Sequence, residues 1–468
     1  MNSISPHEFL AIAEVKDDSG TAAATGYTTL LNFVRASVSA NHAKELSAAL
    51  DDPAAARNLR ELIRRYAAEA LSGQSYDLSE VTEKIYQDMA GLGILTQYLR
   101  SPNVEEININ SYDAVEIIYH DRTEYLLGAD AFPSPQAAID VIRRMIRMGG
   151  KLIDAQSPLV DSFIGSGTRI NAAIPPVVPA ERGVSASIRK QSRSCITREE
   201  LIKAGTATGD MLDFLTICLS NGVSVGLCGG TGSGKTTLQS FILNEYIHHC
   251  DNPNTRIFTA EDSQELTLLK YDAVNDRPAR VVSMLTQEAP TRITISDLLK
   301  AALRHHPSLI VPAEVRGPEV MQAIAAGQSG HTILTSFHAD GAKDGYRRLV
   351  SLCRMGETTL TDEMLLSECV GAWPVMAFAK QLKDGTRRIV EIFEATGQKN
   401  GRVTGNMLYS LKITETKRDE RGLVKEVAAH HERVGNISPR LYGRLRDNGV
   451  SEDELHRLFP DAKGADSL

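Results

Sequence analysis

Apolar positions change their period several times along this chain, and each change marks an expected element. From Asn58 to Tyr98 they recur at helical spacing, with Leu59, Leu62, Ile63, Tyr66, Ala67 and Ala70 on one face. The preceding stretch, Met1 to about Ala56, is rich in Ala, Ser and Asp and reads as an extension that is helical in part. Alternation takes over at Val104, Ile107 and Ile109 and again at Val115, Ile117 and Ile118. This predicts two strands with a turn over Ser111 to Ala114. A helix is expected from Ser134, with Pro135 at its first position, Ile139, Ile142 and Ile146 buried, and Gly149-Gly150 at its end. Strand patterns at Thr168 to Ile174 and Val184 to Arg189 complete a small α+β domain over 57–190, after an extension over 1–56.

Residues 191–209 are polar and weakly periodic, and read as a linker with a short helix. Beyond them strands and helices alternate. Strands are expected at Val223 to Leu227, Arg256 to Ala260, Leu309 to Val311 and Thr332 to Ser336. Helices are expected at Thr237 to His248, Asp297 to His305 and Val320 to Ala326. Such alternation implies a parallel sheet covered on both faces, hence an α/β domain over 210–400. Residues 401–468 read as an appendage, with a β-hairpin and short helices near Pro439 to Asn448 and Glu452 to Leu458.

Composition narrows the classes. The 468 residues are 42% apolar and 24% charged, ordinary for a globular chain of two or three domains. A formal net charge of -8 argues against general binding to nucleic-acid backbone, so no direct nucleic-acid contact is expected. No apolar run approaches the roughly 20 residues of a membrane-spanning helix, and Met1 to Val15 lacks the features of an export signal. The six cysteines show no CxxC spacing and read as free thiols in a reducing cytoplasm.

The chemistry concentrates in four segments. Gly229, Gly230, Thr231, Gly232, Ser233, Gly234, Lys235 and Thr236 fit GxxxxGK[ST], after an apolar strand and before a helix that continues with Thr237. Glycines let successive N–H groups turn inward on a phosphate, and the helix adds its positive end. Lys235 supplies charge to the β- and γ-phosphates, and the Thr236 hydroxyl is the expected Mg²⁺ ligand. ATP and Mg²⁺ are therefore the expected ligands. Hydrolysis also needs carboxylates at neighbouring strand ends. Glu261, Asp262 and Glu265 follow one expected strand, and Glu314 follows another. Around the last strand, His331 and His338 differ by an odd number of residues and are expected on opposite faces. His338, at the carboxyl end, is the candidate sensor of the γ-phosphate.

These four elements, in this order, resemble the secretion-ATPase superfamily: Walker A, acidic box, Walker B glutamate, histidine box. The resemblance runs from about Val104 to Gly397. It includes Val104 to Asn110, Ser157 to Asp161, Gly167 to Asn171, Ile174 to Pro176, Ser187 to Lys190 and Asp384 to Ile389. The amino-terminal segments are nearest to the tight-adherence (Flp) pilus and type IV secretion branch. The resemblance implies a RecA-like P-loop domain preceded by the small α+β domain, assembled as a homo-hexamer. It implies cytoplasmic placement, peripheral at the inner face of the plasma membrane through inner-membrane assembly-platform partners. It implies that Glu314 activates water and that Glu261 and Glu265 complete the metal and water shell. Arg169, Arg189 and Arg304 would neutralise the transferred phosphoryl group, and hydrolysis would drive domain rotation about 192–209. Rival readings are a conjugation ATPase, a pilus retraction motor and a nucleotide-binding scaffold with little turnover. One departure from the family pattern is Pro312-Ala313 before Glu314. Proline lacks an N–H for a neighbouring strand, so a bend is expected there.

Overall fold

A computed structural model describes residues 21–42, 45, 53–71, 77–89, 91–119, 122–164, 167–190, 195–249, 255–287 and 291–462. The expectations placed on residues 1–20, Ser192 and Cys250 lie outside the described residues. The chain divides into two compact units, Met1–Ser192 and Arg193–Leu468.

In the first unit, α1 (Thr21–Asn41), α2 (Pro53–Ala70) and α3 (Leu78–Met89) enclose Leu31, Val34, Leu59, Ile63, Ile85 and Met89. The helical spacing of Leu59, Ile63 and Ala67 is what brings them inward together. Residues read as an extension thus supply α1 to this core, and α2 begins before residue 57. After α4 (Leu95–Arg100) come β1 (Val104–Ser111), β2 (Ala114–Tyr119), β3 (Thr123–Leu127), α5 (Pro135–Met148), β4 (Leu159–Ile164), β5 (Thr168–Ala173) and β6 (Ser185–Lys190). The strands form an antiparallel sheet in the order β3-β2-β1-β6-β5-β4. Ser134 caps α5 by accepting from Ala137 N at 3.2 Å, and Pro135 opens the helix. Ile142 and Ile146 of α5 pack with Ile107, Ile117, Ile170 and Ile188 on one face of the sheet. Arg169 and Arg189 adjoin Ile170 and Ile188 in sequence, so they occupy the opposite face.

The second unit opens with α6 (Arg198–Lys203) and α7 (Gly209–Ser220). Thr197 and Glu200 form a capping box at α6, and Leu201 and Ala207 are buried in the unit's core. Residues 195–209, expected as a linker, are therefore part of this unit. The chain continues through β7 (Val225–Gly229), α8 (Lys235–His249), β8 (Ile257–Glu261), the short β9 (Tyr271–Asp272) and β10 (Arg277–Pro278), and β11 (Val281–Leu285). It then forms α9 (Ile295–Ala302), β12 (Leu309–Pro312), α10 (Val320–Gln328), β13 (Thr332–Phe337), α11 (Ala342–Cys353) and α12 (Asp362–Ala372). Last come β14 (Val375–Gln381), β15 (Arg387–Lys399), β16 (Arg402–Arg418), β17 (Val424–Arg433), α13 (Pro439–Asp447) and α14 (Glu452–Leu458).

Nine strands form one sheet in the order β11-β8-β12-β13-β7-β14-β15-β16-β17. The first six are parallel and the last three are added antiparallel. Alternate residues feed two cores, one per face. Val225, Leu227, Val311 and Leu334 enter one, while Cys228, Ile310, Ile333 and Phe337 enter the other. The residues read as an appendage share both sheet and core. Leu441, Leu445 and Phe459 lie in the same cluster as Phe214 and Leu238, and the Phe459 ring meets Phe214 edge-on at 5.1 Å.

Candidate active site

All parallel strands end on one side of the sheet, where ligands of such sheets bind. The loop from Gly229 to Lys235 leaves the carboxyl end of β7 there and enters α8 directly. Gly229 sits at φ +157°, and a β-carbon on it would stand 2.1 Å from Ala379 O of β14. Gly232 sits at φ +72°, in the left-handed region. Gly230, Thr231 and Gly232 are exposed, Gly234 and Thr236 are half-buried, and Thr237 is exposed on the first turn of α8. The Ser233 hydroxyl donates to Gly230 O at 2.8 Å and braces the loop. Lys235 is only 7% exposed, and its Nζ donates to Gly229 O and Gly230 O at 3.0 Å each. The ammonium is thus curled back along the loop.

Glu314 follows β12 and is joined to Ser336 of β13 by an isolated parallel bridge. Since β13 lies between β12 and β7, that bridge sets Glu314 beside the strand next to the phosphate loop. Arg316 Nη2 donates to Glu314 Oε2 at 2.7 Å, and His338 Nε2 stands 3.0 Å from Oε1. Oε1 is buried and takes no aligned hydrogen bond. His338 Nδ1 is 3.1 Å from Gly229 O, and since a carbonyl can only accept, Nδ1 is the donor. Lys235 Nζ is 3.5 Å from the same ring nitrogen. Burial opposes charge on Glu314, but the Arg316 hydrogen bond and the charges of Arg316, His338 and Lys235 outweigh it. The carboxyl is held below its ordinary range. A half-buried, ionised carboxylate beside the phosphate loop, its Oε1 without an aligned hydrogen bond, can orient or deprotonate a water.

Around Pro312, where a bend is expected, the structure shows a gap in the pairing with β13. Ala313 N donates to Ala260 O of β8 at 3.0 Å, so the N–H that proline lacks is the one facing β13. The ladder to β13 pairs only Leu309 and Ile310. Side chains of β13 then take over: Thr335 Oγ1 donates to Pro312 O and Ser336 Oγ to Ala313 O, each at 2.7 Å. Val315 N rejoins Ser336 O at 2.9 Å, and the acid arrives in place.

Glu261 and Glu265 separate in role. Glu261 ends β8, is 2% exposed, and accepts the backbone N–H of Glu265 at 2.8 Å and of Leu266 at 2.9 Å on one oxygen. Burial pushes its carboxyl up to about 7 despite those backbone hydrogen bonds. Glu265 faces the loop instead, with Oε2 3.5 Å from Thr236 Oγ1 and Oε1 3.4 Å from Ser263 Oγ. Among the described residues no group of three or more His, Cys, Asp and Glu side chains could hold a metal alone. A hydroxyl and one carboxylate suit Mg²⁺, which takes few protein ligands and completes its shell with water and phosphate oxygens.

Other expected residues lie elsewhere. His331 precedes β13 and makes local contacts with Ser329 Oγ at 3.1 Å and Ala326 O at 3.3 Å. Arg304 is exposed in the turn leading into β12, at the sheet end opposite the phosphate loop. Arg169 and Arg189 are directly paired across β5 and β6 in the first unit. Arg169 has Asp161 at 3.7 Å. Two site residues were not foreseen. Arg316 clamps Glu314, and its place two residues on was the available signal. Arg387 Nε donates to Gly232 O at 3.0 Å from 155 residues away, a contact no local pattern announces.

A RecA-like sheet, with a phosphate loop after β7 and a clamped glutamate after β12, defines a P-loop nucleotide-binding protein. The sequence pattern described as Type II/IV secretion system protein matches residues 95–372, more than half of the chain, and the chain belongs to that family. It is 31% identical over 268 residues to an uncharacterized protein of Methanocaldococcus jannaschii, covering 56% of this chain and 46% of that one. The chain thus spans less than half the length of that relative. It is 28% identical over 290 residues to the type IV secretion system protein PtlH of Bordetella pertussis, covering 56% and 80%. Among solved structures, the ATPase DotB of Legionella pneumophila matches at 20% identity over 65% of this chain and 79% of that one, with a TM-score of 0.42.

Proposed function

We propose that this chain binds ATP with Mg²⁺ on residues 229–236 and hydrolyses it, as the motor of a type IV-like secretion or pilus-assembly machine. The observation that carries the reading is the meeting of Lys235, His338 and Glu314 at one end of the sheet, with Glu314 Oε1 buried and free of an aligned hydrogen bond. Thr236 and Glu265 would hold Mg²⁺, which would neutralise phosphate charge. Lys235 leaves the loop carbonyls for phosphate oxygens. Glu314 takes a proton from the attacking water, with its other oxygen fixed by Arg316. His338 touches both the loop and Glu314, so it reports the γ-phosphate to the general base. The reading extends to Arg169 and Arg189 as an anion-directed pair. The two arginines stand directly opposite on adjacent strands, with Asp161 3.7 Å from Arg169 and Glu106 of β1 opposite Arg189, so they present two guanidiniums side by side on one face of the sheet.

The motor is proposed as a homo-hexamer, held at the inner face of the plasma membrane by assembly-platform proteins. Among the described residues, no helix is long and apolar enough to cross a membrane. Family membership and the likeness to PtlH support a secretion role over a free-standing nucleotide hydrolase. The intact delivery of Glu314 past Pro312 favours turnover over a silent scaffold. Steady-state phosphate release from the full chain tests the proposal, with oligomer size followed by light scattering. Lys235→Ala should lower turnover at least about a hundredfold, the loss typical of a group facing developing charge. Unchanged turnover in that variant would end the ATPase reading. Co-purification from detergent-solubilised membranes would test the partner class.

A further inference from the structure

The acidic loop after β8 holds two glutamates, and the geometry points to a division of labour between them. We infer that Glu261 is a positioning residue: its carboxylate serves as an internal acceptor that folds residues 262–266 so that Glu265 reaches Thr236. This rests on the proposed ATPase reading and deepens it.

Three observations carry the inference. First, Glu261 is turned into the protein at 2% exposure, while Thr236 and Glu265 are half-buried. Second, a single oxygen, Oε2, takes both the Glu265 N–H at 2.8 Å and the Leu266 N–H at 2.9 Å. Its other oxygen has the Thr259 hydroxyl at 3.5 Å. Third, the loop so held is followed by further anchors into α8. Thr267 N donates to Ser240 Oγ at 3.1 Å, and Leu269 N donates to Asn244 Oδ1 at 3.0 Å. Residues 265–269 are thus fastened at one end by Glu261 and along their length by the helix that begins with Lys235. Buried backbone N–H groups require acceptors, and no strand neighbour supplies them here. The carboxylate of Glu261 stands in for that missing strand. Glu265 then faces Thr236 because its own backbone is fixed, with Oε2 3.5 Å from the hydroxyl.

This assignment predicts which atoms matter. Glutamine keeps one carbonyl oxygen able to accept both N–H groups, and its amide can donate to the Thr259 hydroxyl. Alanine keeps neither. The test compares E261Q, E261A and E265Q in the full chain, with two readouts. Hydrogen exchange of the 262–268 amides, without nucleotide, should stay slow in E261Q and accelerate at least tenfold in E261A. In phosphate release, E261A should lose at least tenfold in kcat and need more Mg²⁺ for half-maximal rate. E261Q should rescue most of that loss. E265Q should lose turnover while its amide exchange stays slow. If E261Q falls as far as E265Q while its loop amides stay protected, Glu261 acts through its charge and the inference is overturned. If E261A exchanges and turns over as wild type does, the carboxylate positions nothing, which also overturns it. Absence of turnover in the wild-type chain would refute the ATPase reading alone, since the exchange experiment still decides the role of Glu261.

Discussion

Glu314 carries a negative charge that Arg316 and His338 hold from two sides, so its neutral isostere separates binding from chemistry. Glu314→Gln keeps the volume and the acceptor toward Arg316 but cannot take a proton from water. Nucleotide affinity, measured by equilibrium fluorescence, should stay within about threefold, while phosphate release falls by roughly 10²–10⁴. Glu261 makes a different prediction. Its folded carboxyl titrates at about 7, above the ordinary 4.5. Folding is therefore favoured by the proton, fully so below pH 4.5, and that contribution is lost as pH rises through 7. Glu261→Gln has no such titration. In urea unfolding, its stability relative to wild type should rise by roughly 2–3 kcal/mol between pH 5 and pH 8. Residues were legible in proportion to how local their chemistry is. The loop from Gly229 to Thr236 is contiguous, so its pattern was complete in the sequence. Glu261 and Glu265 look alike in sequence, and only the direction of each side chain, inward or toward Thr236, distinguishes them.

At the scale of elements, the parallel strands around the loop were readable because each is a short apolar run followed by a helical pattern. Others carried no such mark. β4 and β11 lie at sheet edges, and their half-exposed residues give a diluted alternation. β14 reads Val-Met-Ala-Phe-Ala, an apolar run that does not distinguish strand from helix. The helical spacing from Asn58 to Tyr98 is shared by three helices, α2, α3 and α4. Around Pro312, the hydroxyls of β13 do the work of a missing backbone pair. Thr335→Val combined with Ser336→Ala removes both donors and leaves the carbonyls of Pro312 and Ala313 buried without them. Each unmade bond costs about 1–3 kcal/mol, so denaturant stability should fall by roughly 2–6 kcal/mol. Turnover should fall too, because Glu314 follows directly on that strand. Full activity with unchanged stability would mean that the hydroxyls do not support the acid.

The whole molecule keeps its phosphate loop in one unit and the Arg169–Arg189 pair in the other. Replacing either arginine by alanine relieves a like-charge pair but also takes a positive charge from beside a carboxylate, Asp161 for Arg169 or Glu106 opposite Arg189, so thermal unfolding should change little. Turnover at saturating ATP should still drop at least about tenfold, which corresponds to ~1.4 kcal/mol of transition-state stabilisation. Lysine should restore little, since only the planar guanidinium grips two oxygens at once. Normal rates in an intact oligomer would make the pair structural.

The family match ends at residue 372, yet β14 begins at Val375 and lies directly against β7. The region matched by the family pattern is therefore smaller than the unit that folds as one sheet. A gene fragment trimmed to residues 95–372 would strip β7 of its neighbour β14 and turn the strand bearing the phosphate loop into a raw edge. It would also open the core that Phe459 and Leu441 close. Such an edge invites pairing between molecules. For anyone dissecting this protein by truncation, the end of the matched pattern at residue 372 is the wrong place to cut, since β14 to α14 complete the same sheet and core.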